Sequence, residues 1–120
     1  MSKTRWHLLF LFSAIAIVVL LGIHMAVQHL NNVLATGEKD PTAWAPMIAR
    51  AVQGGWVVVY ILLLGFGLYH GLYGLRGIIL ELTTSRKTVN AINWVFIVVG
   101  ILFFIWGSYV PITLMSNVPK

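Results

Sequence analysis

Three long apolar runs dominate the chain, and none of them contains Asp, Glu, Lys or Arg. They cover residues 8–30, 54–75 and 91–115. A helix needs about 20 apolar residues to cross about 30 Å of hydrocarbon, so each run predicts a transmembrane helix. We expect these helices at about 7–30, 53–80 and 91–115, within a single domain.

The polar segments between the runs predict short connections. Residues 31–52 contain Gly37, Pro41 and Pro46, which favour turns, with room for a short helix at the membrane surface. Residues 82–90 form the second expected connection. The first run would also suit a removable signal peptide, but it is too long and no small-residue cleavage pattern follows it. The pattern therefore predicts an all-α membrane protein.

Composition supports a membrane protein and excludes several other classes. Charged residues make up 9% of the chain, against about 25% in soluble domains, and hydrophobic residues make up 59%. The net charge of +5 would suit nucleic acid in a soluble protein, but the basic residues here flank the apolar runs, so no nucleic-acid partner is expected. The absence of cysteine excludes disulfides and a cysteine-ligated metal or cluster on this chain.

The distribution of basic residues predicts the orientation. Five of the eight Lys and Arg residues fall on the amino-terminal side of the membrane. They are Lys3, Arg5, Arg76, Arg86 and Lys87. The positive-inside rule then places the N-terminus and the 82–90 connection in the cytoplasm, with the 31–52 connection and the C-terminus outside.

The second run, around LYHGLYGLRGIILEL, combines one histidine with several glycines. Five positions alternate in spacing between three and four residues and so share one helix face. They are Gly67, His70, Gly74, Gly77 and Glu81. One interpretation is close helix packing, because Gly67 and Gly71 form a GxxxG motif. The other is that a flat macrocycle lies on this face while the His70 imidazole binds its iron and donates its other ring proton to a carbonyl or hydroxyl oxygen.

His24 raises the same question in the first helix, where it shares a mildly polar stripe with Ser13, Gln28 and Asn31. A histidine that bonds a neighbouring helix would also fit. Counting from the two membrane boundaries places His24 and His70 roughly 16 Å apart along the membrane normal. One haem could not bind both. If both are ligands, they serve two haems, and each needs its second histidine from another chain, an arrangement suited to electron transfer.

The motif His70-x3-Gly74-x6-Glu81, in the second of three helices, resembles the D-type membrane anchor of succinate dehydrogenase. The resemblance implies that His70 ligates haem b, and that the chain is a non-catalytic subunit of a succinate:quinone oxidoreductase of the tricarboxylic acid cycle. The implied partners are a flavoprotein subunit, an iron–sulfur subunit, a second membrane anchor, quinone and the lipid bilayer.

Two departures modify that expectation. The family usually has a tyrosine after the acidic residue, whereas this chain has Glu81-Leu82, so the quinone site is remodelled or lies mainly on partner chains. His24 resembles the two-haem anchors, which are associated with menaquinone. Succinate:menaquinone oxidoreductase in a bacterial or archaeal cytoplasmic membrane is therefore the leading expectation, with fumarate reductase as the reverse reaction.

Other residues have competing interpretations. Arg76 suits a haem propionate or an ordinary boundary anchor. Glu81 suits proton transfer to a quinone, contacts with the iron–sulfur subunit, or a solvated carboxylate paired with Arg86. Gly100 and Gly107 suit helix packing, and Pro111 a bend.

Two other classes of function compete with the anchor. A small multidrug-type transporter needs a carboxylate within its helices, and none is present in the apolar runs. A cofactor-free accessory or assembly subunit, with histidines that serve packing, remains the alternative.

Overall fold

The computed structural model describes residues 2–30, 40 and 42–117. This part of the chain contains four helices and no strand. They are α1 (Lys3–His29), α2 (Trp44–Ala51), α3 (Gly54–Leu80) and α4 (Arg86–Asn117). Since α1, α3 and α4 are each long and apolar enough to cross a membrane, the predicted all-α membrane protein with three spans is confirmed.

The helices extend beyond the apolar runs at the polar ends. Residues 86–90, which the sequence assigns to a loop, already belong to α4, so that assignment is wrong and only residues 81–85 connect α3 to α4. α1 likewise begins at Lys3, ahead of its apolar run. Hydropathy locates the hydrocarbon-spanning part, whereas backbone hydrogen bonding continues the helix into the polar membrane interface.

α3 is the central helix, and α1 and α4 pack antiparallel along two of its sides. In the part of the chain that is described, α1 and α4 make no packing contact with each other. The short α2 lies against α3 and α4. The protein measures 55 × 32 × 22 Å, which fits a row of helices rather than a closed bundle.

Glycines bring α3 and α4 close together. A Cβ added to Gly107 would lie 2.6 Å from Leu64 Cδ2, and one added to Gly100 would lie 3.1 Å from Leu72 Cδ1. On α3, a Cβ at Gly65 would lie 3.3 Å from the Phe104 ring. These contacts confirm the predicted packing role of the two α4 glycines. α4 continues through Pro111 to Asn117.

A row of three helices buries little of its own surface. The described residues with buried side chains are Ser13, Arg50, Ala51, Val57 and Ser108. Many large apolar side chains are open, among them Val18 at 73% and Trp106 at 67% exposure. Surfaces of this kind are stable only against lipid or other apolar helices, so the row presents broad faces for both.

Candidate functional site

The His70 ring is held by α1. Its Nδ1 lies 3.2 Å from the Phe10 carbonyl oxygen and 3.1 Å from Ser13 Oγ. The Phe10 ring stacks on the imidazole with centroids 4.2 Å apart and an angle of 5° between the planes. The imidazole is therefore fixed both in position and in the plane of its ring.

These contacts also decide where the imidazole proton lies. Ser13 Oγ donates to the Phe10 carbonyl at 2.6 Å, so its single proton is already engaged. The carbonyl can only accept, which leaves Nδ1–H of His70 as the donor to both oxygens. Nε2 then carries the lone pair, the state in which a neutral imidazole binds a metal. Such a donation is what we expect of a ligating histidine.

Ser13 is the residue that sequence reasoning missed. Its exposure is 0%, yet the sequence pattern places it only on a polar stripe beside His24. A depth argument could have found it: Ser13 lies about 8 Å inside the boundary where the first helix enters, and His70 lies at the same depth. Two residues level on adjacent antiparallel helices are expected to face each other.

The glycines near His70 do not form one continuous open face. Cβ atoms added to Gly67, Gly71 or Gly77 would meet nothing within 4 Å, and we call these three the open glycines. A Cβ added to Gly74 would instead lie 3.5 Å from the Phe10 ring. The expectation of a bare surface at Gly74 is therefore wrong, because α1 fills that position with an aromatic side chain.

Gly67 lines a shallow depression of about 430 Å³ on the outside of α3. Its other walls are apolar apart from the Tyr60 hydroxyl. They are formed by Tyr60, Leu63, Leu64 and Leu68. The depression gives a flat, mainly apolar molecule room beside the helix that carries His70.

Arg76 lies away from the His70 ring. Its Nε donates to Asn93 Oδ1 of α4, and its guanidinium carbon lies 5.9 Å from the centroid of the Tyr73 ring. Six residues along a helix rotate a side chain by about 120° from the starting face, so Arg76 faces α4 while His70 faces α1. The role of Arg76 toward a haem propionate stays a prediction.

Glu81 follows the last residue of α3 and is exposed. It makes no ion pair with Arg86 within the described residues, so the suggested pairing is not seen. The carboxylate is therefore open to solvent or to another subunit.

His24 forms a separate cluster nearer the other end of the bundle. Its ring meets Tyr60 edge to face at 5.9 Å, and Gln28 Nε2 donates to the Tyr60 hydroxyl at 3.5 Å. His24 Nδ1 is buried and has no hydrogen-bond partner among the described residues. Asn31, the last member of the predicted stripe, lies outside the described residues.

The two histidines do not share a site. His70 lies level with Ser13 on α1, and His24 lies level with Tyr60 on α3. These levels are ten or eleven residues apart, or roughly 16 Å along the helix axes, which agrees with the separation expected from the sequence. Within the described residues, no group of three His, Cys, Asp or Glu side chains could hold a metal ion.

Comparison with known proteins decides the family. The family model described as succinate dehydrogenase/fumarate reductase transmembrane subunit matches residues 2–107. The chain belongs to this family. No significantly similar curated protein or solved structure was found. Membership makes the chain a membrane-anchor subunit of a complex that also contains catalytic subunits, and it agrees with the three apolar spans.

Proposed function

We propose that this anchor binds haem b through His70 Nε2 and helps pass electrons from the iron–sulfur subunit of succinate dehydrogenase to a quinone. The observation that carries the proposal is the fixed His70 tautomer, with Nδ1–H directed at the Phe10 carbonyl and at Ser13 Oγ. When bound, the haem supplies a one-electron carrier within the membrane. The protein's own contribution is an oriented, uncharged imidazole.

The surroundings of His70 are compatible with such a group. A neutral imidazole avoids the cost of a buried charge in a membrane helix. The open glycines Gly67 and Gly71 leave the neighbouring helix surface without side chains. Arg76 is not included among the haem contacts, since it is directed at Asn93.

The remaining components come from partner chains. The described residues offer no second histidine level with His70, so a second histidine for the haem iron would come from another membrane anchor packed on the exposed faces of the helix row. Flavin and iron–sulfur centres belong to the catalytic subunits. In this proposal Glu81, which is exposed at the boundary, would exchange protons with a quinone held mainly by partner chains.

A second haem is favoured by one observation, the buried and unpartnered Nδ1 of His24. A buried ring nitrogen without a hydrogen bond is costly, so the His24 ring is expected to gain a partner from outside the described residues, and a second haem held by this ring is one candidate. In this version of the proposal the complex holds two haems and reduces menaquinone, or oxidises menaquinol with fumarate as the acceptor.

The opposing interpretation is a cofactor-free anchor. A histidine that is hydrogen-bonded and stacked, as His70 is, would also serve as a packing element between α1 and α3. Spectroscopy of the intact complex distinguishes the two, because only a haem protein shows a b-type absorption band.

The test compares His70→Ala with His7→Ala, which removes an exposed histidine of α1. Complexes are purified and assembly is checked by native gel before reduced-minus-oxidised spectra are recorded. We expect His70→Ala to lose the haem ligated by this chain, while His7→Ala keeps its full absorbance. An assembled His70→Ala complex with unchanged haem content would overturn the assignment.

The number of haems is tested by His24→Ala. In a two-haem complex this variant loses about half of the haem and keeps the portion that depends on His70. Unchanged haem content would show that His24 is not a haem ligand and would remove the argument from His24 for a two-haem, menaquinone-linked complex.

A further inference from the structure

A second cavity, on a different side of α3, is not explained by the haem proposal. It is a groove of about 960 Å³ between α3, α4 and the first residues of α1, and we call it the interfacial groove. His70 and the open glycines are not among its lining residues. The chemistry of the residues that line the groove must therefore indicate which ligand it binds.

One end of the groove is polar and lies at the boundary where α1 and α4 begin and α3 ends. Its side chains are those of Lys3, Trp6, Tyr69, Tyr73, Arg76 and Asn93. The Tyr69 hydroxyl donates to the Trp6 carbonyl oxygen at 2.8 Å, which ties the start of α1 to α3. This end therefore has a fixed wall of aromatic side chains with two cations.

The Arg76 guanidinium is oriented but not saturated. Only its Nε donates within the described residues, to Asn93, so the N–H groups on its two terminal nitrogens remain available. Such a fork suits a phosphate group. Lys3 lies at the same end, and among the described residues no carboxylate lines the groove. The net positive charge there matches an anion.

The other end of the groove is apolar and reaches toward the middle of the membrane. It is walled by Leu68, Leu72, Ile101 and Phe104, with floor glycines Gly65 and Gly100. From Arg76 to Gly65 the groove follows α3 for about 16 Å. This depth suits an extended hydrocarbon chain whose polar group stays at the boundary.

We propose that the interfacial groove binds one anionic phospholipid, with its phosphate between Lys3 and Arg76 and an acyl chain along α3 and α4. Basic pockets between transmembrane helices are suited to anionic lipid headgroups. The proposal commits to a phospholipid because the site joins a cationic end to a long apolar wall. A free anion would use only the cationic end of the groove. A neutral quinone headgroup would not need two cations.

The test uses the intact complex, delipidated in detergent and titrated with dioleoylphosphatidylglycerol, with bound lipid counted by native mass spectrometry. The variant is Lys3→Gln with Arg76→Gln, and the matched control is Arg86→Gln with Lys87→Gln, which removes two cations at the same boundary outside the groove. We expect about thirtyfold weaker binding of one lipid in the first variant and no change in the second. Haem absorbance should stay at its normal level in both.

Several results would overturn the proposal. If the groove variant and the control variant bound the lipid equally well, the groove would not be the lipid site. Equal affinity for dioleoylphosphatidylcholine would remove the role of the anionic charge, and displacement by inorganic phosphate at comparable concentration would indicate an anion site instead. Loss of haem together with lipid would assign Arg76 to the haem. The haem proposal itself would survive the first three results, so the two failures can be distinguished.

Discussion

Two groups of glycines in the transmembrane helices have opposite surroundings. The first group packs α3 against α4, and each member faces a large side chain of this same chain. It consists of Gly65, Gly100 and Gly107. The open glycines of α3 face nothing within the described residues, although they flank the candidate ligand His70.

This difference distinguishes the glycines that have a packing contact within the chain from those that have none. The packed glycines are accounted for by Leu64, Leu72 and Phe104, which fill the space that a Cβ would take. The open glycines carry the usual cost of glycine in a helix, on the order of 1 kcal/mol each against alanine, without any internal contact in return. Gly67 and Gly71 therefore leave room beside His70 for a group from outside the described part of the chain, and the haem proposal supplies one.

The largest effect is expected from filling the open side of α3. Gly71→Phe places a ring next to His70, on a side where an added Cβ meets nothing within 4 Å in the described part of the chain. We expect the complex to assemble but to lose most of the haem bound by this anchor, as measured by its b-type absorbance. Gly55→Phe, at an equally open glycine in the first turn of α3, should retain its haem. Full haem content in the Gly71 variant would show that its open side is not the haem seat.

A medium effect is expected from the packed group. In Gly107→Val the new side chain overlaps Leu64, which should destabilise the α3–α4 packing by about 1–3 kcal/mol. Thermal unfolding in detergent measures the loss, and Leu64→Ala in the same chain should restore part of it. Haem content should remain normal in whatever complex assembles. If Leu64→Ala restored none of the lost stability, the contact between residues 107 and 64 would not be the cause of the loss.

A smaller effect is expected at Ser13, which positions the ring without touching any substrate. Ser13→Ala removes one hydrogen-bond acceptor from His70 Nδ1–H but leaves the Phe10 carbonyl in place. A neutral hydrogen bond is worth about 1 kcal/mol, so the haem midpoint potential should shift by a few tens of millivolts while the haem content stays normal. Ser13→Thr, which keeps the hydroxyl, should restore the potential. An unchanged potential in Ser13→Ala would indicate that Nδ1 relies on the carbonyl alone.

The smallest effect is expected at Gly77, one full turn beyond Gly74. Gly77→Ala adds a methyl group to open space and removes a flexible residue from the helix. The thermal stability of the complex should stay the same or rise slightly. A marked fall would mean that a partner chain approaches α3 there as closely as α4 does at Gly65.

The sequence predicted the three spans well because burial in hydrocarbon leaves a long apolar run that local composition alone reveals. It predicted the helix ends less well, since Arg86 and Lys87 are polar yet remain helical. Gly74 was misjudged because a spacing rule assigns a residue to a helix face but does not say which neighbour covers that face. Phe10 covers it, and no local pattern in α3 contains that information.

Ser13 and Arg76 are two further residues whose neighbours a pattern within one helix does not predict. The role of Ser13 depends on which sides of two antiparallel helices face each other, and a depth count gives only the level of each residue. Arg76 lies only six residues from His70, but the helix turns it toward Asn93 of α4, and its position in the sequence alone does not reveal this neighbour. Both positions follow from helix pairing, which is a property of tertiary structure.

The most direct test of the central claim is a density map of the intact complex at a resolution that shows side chains. The account predicts a tetrapyrrole beside Gly67 and Gly71, with its iron at bonding distance from His70 Nε2 and with Nδ1 still directed at the Phe10 carbonyl. Lipid chains or a partner helix packed directly on these glycines, with no tetrapyrrole at His70, would contradict it.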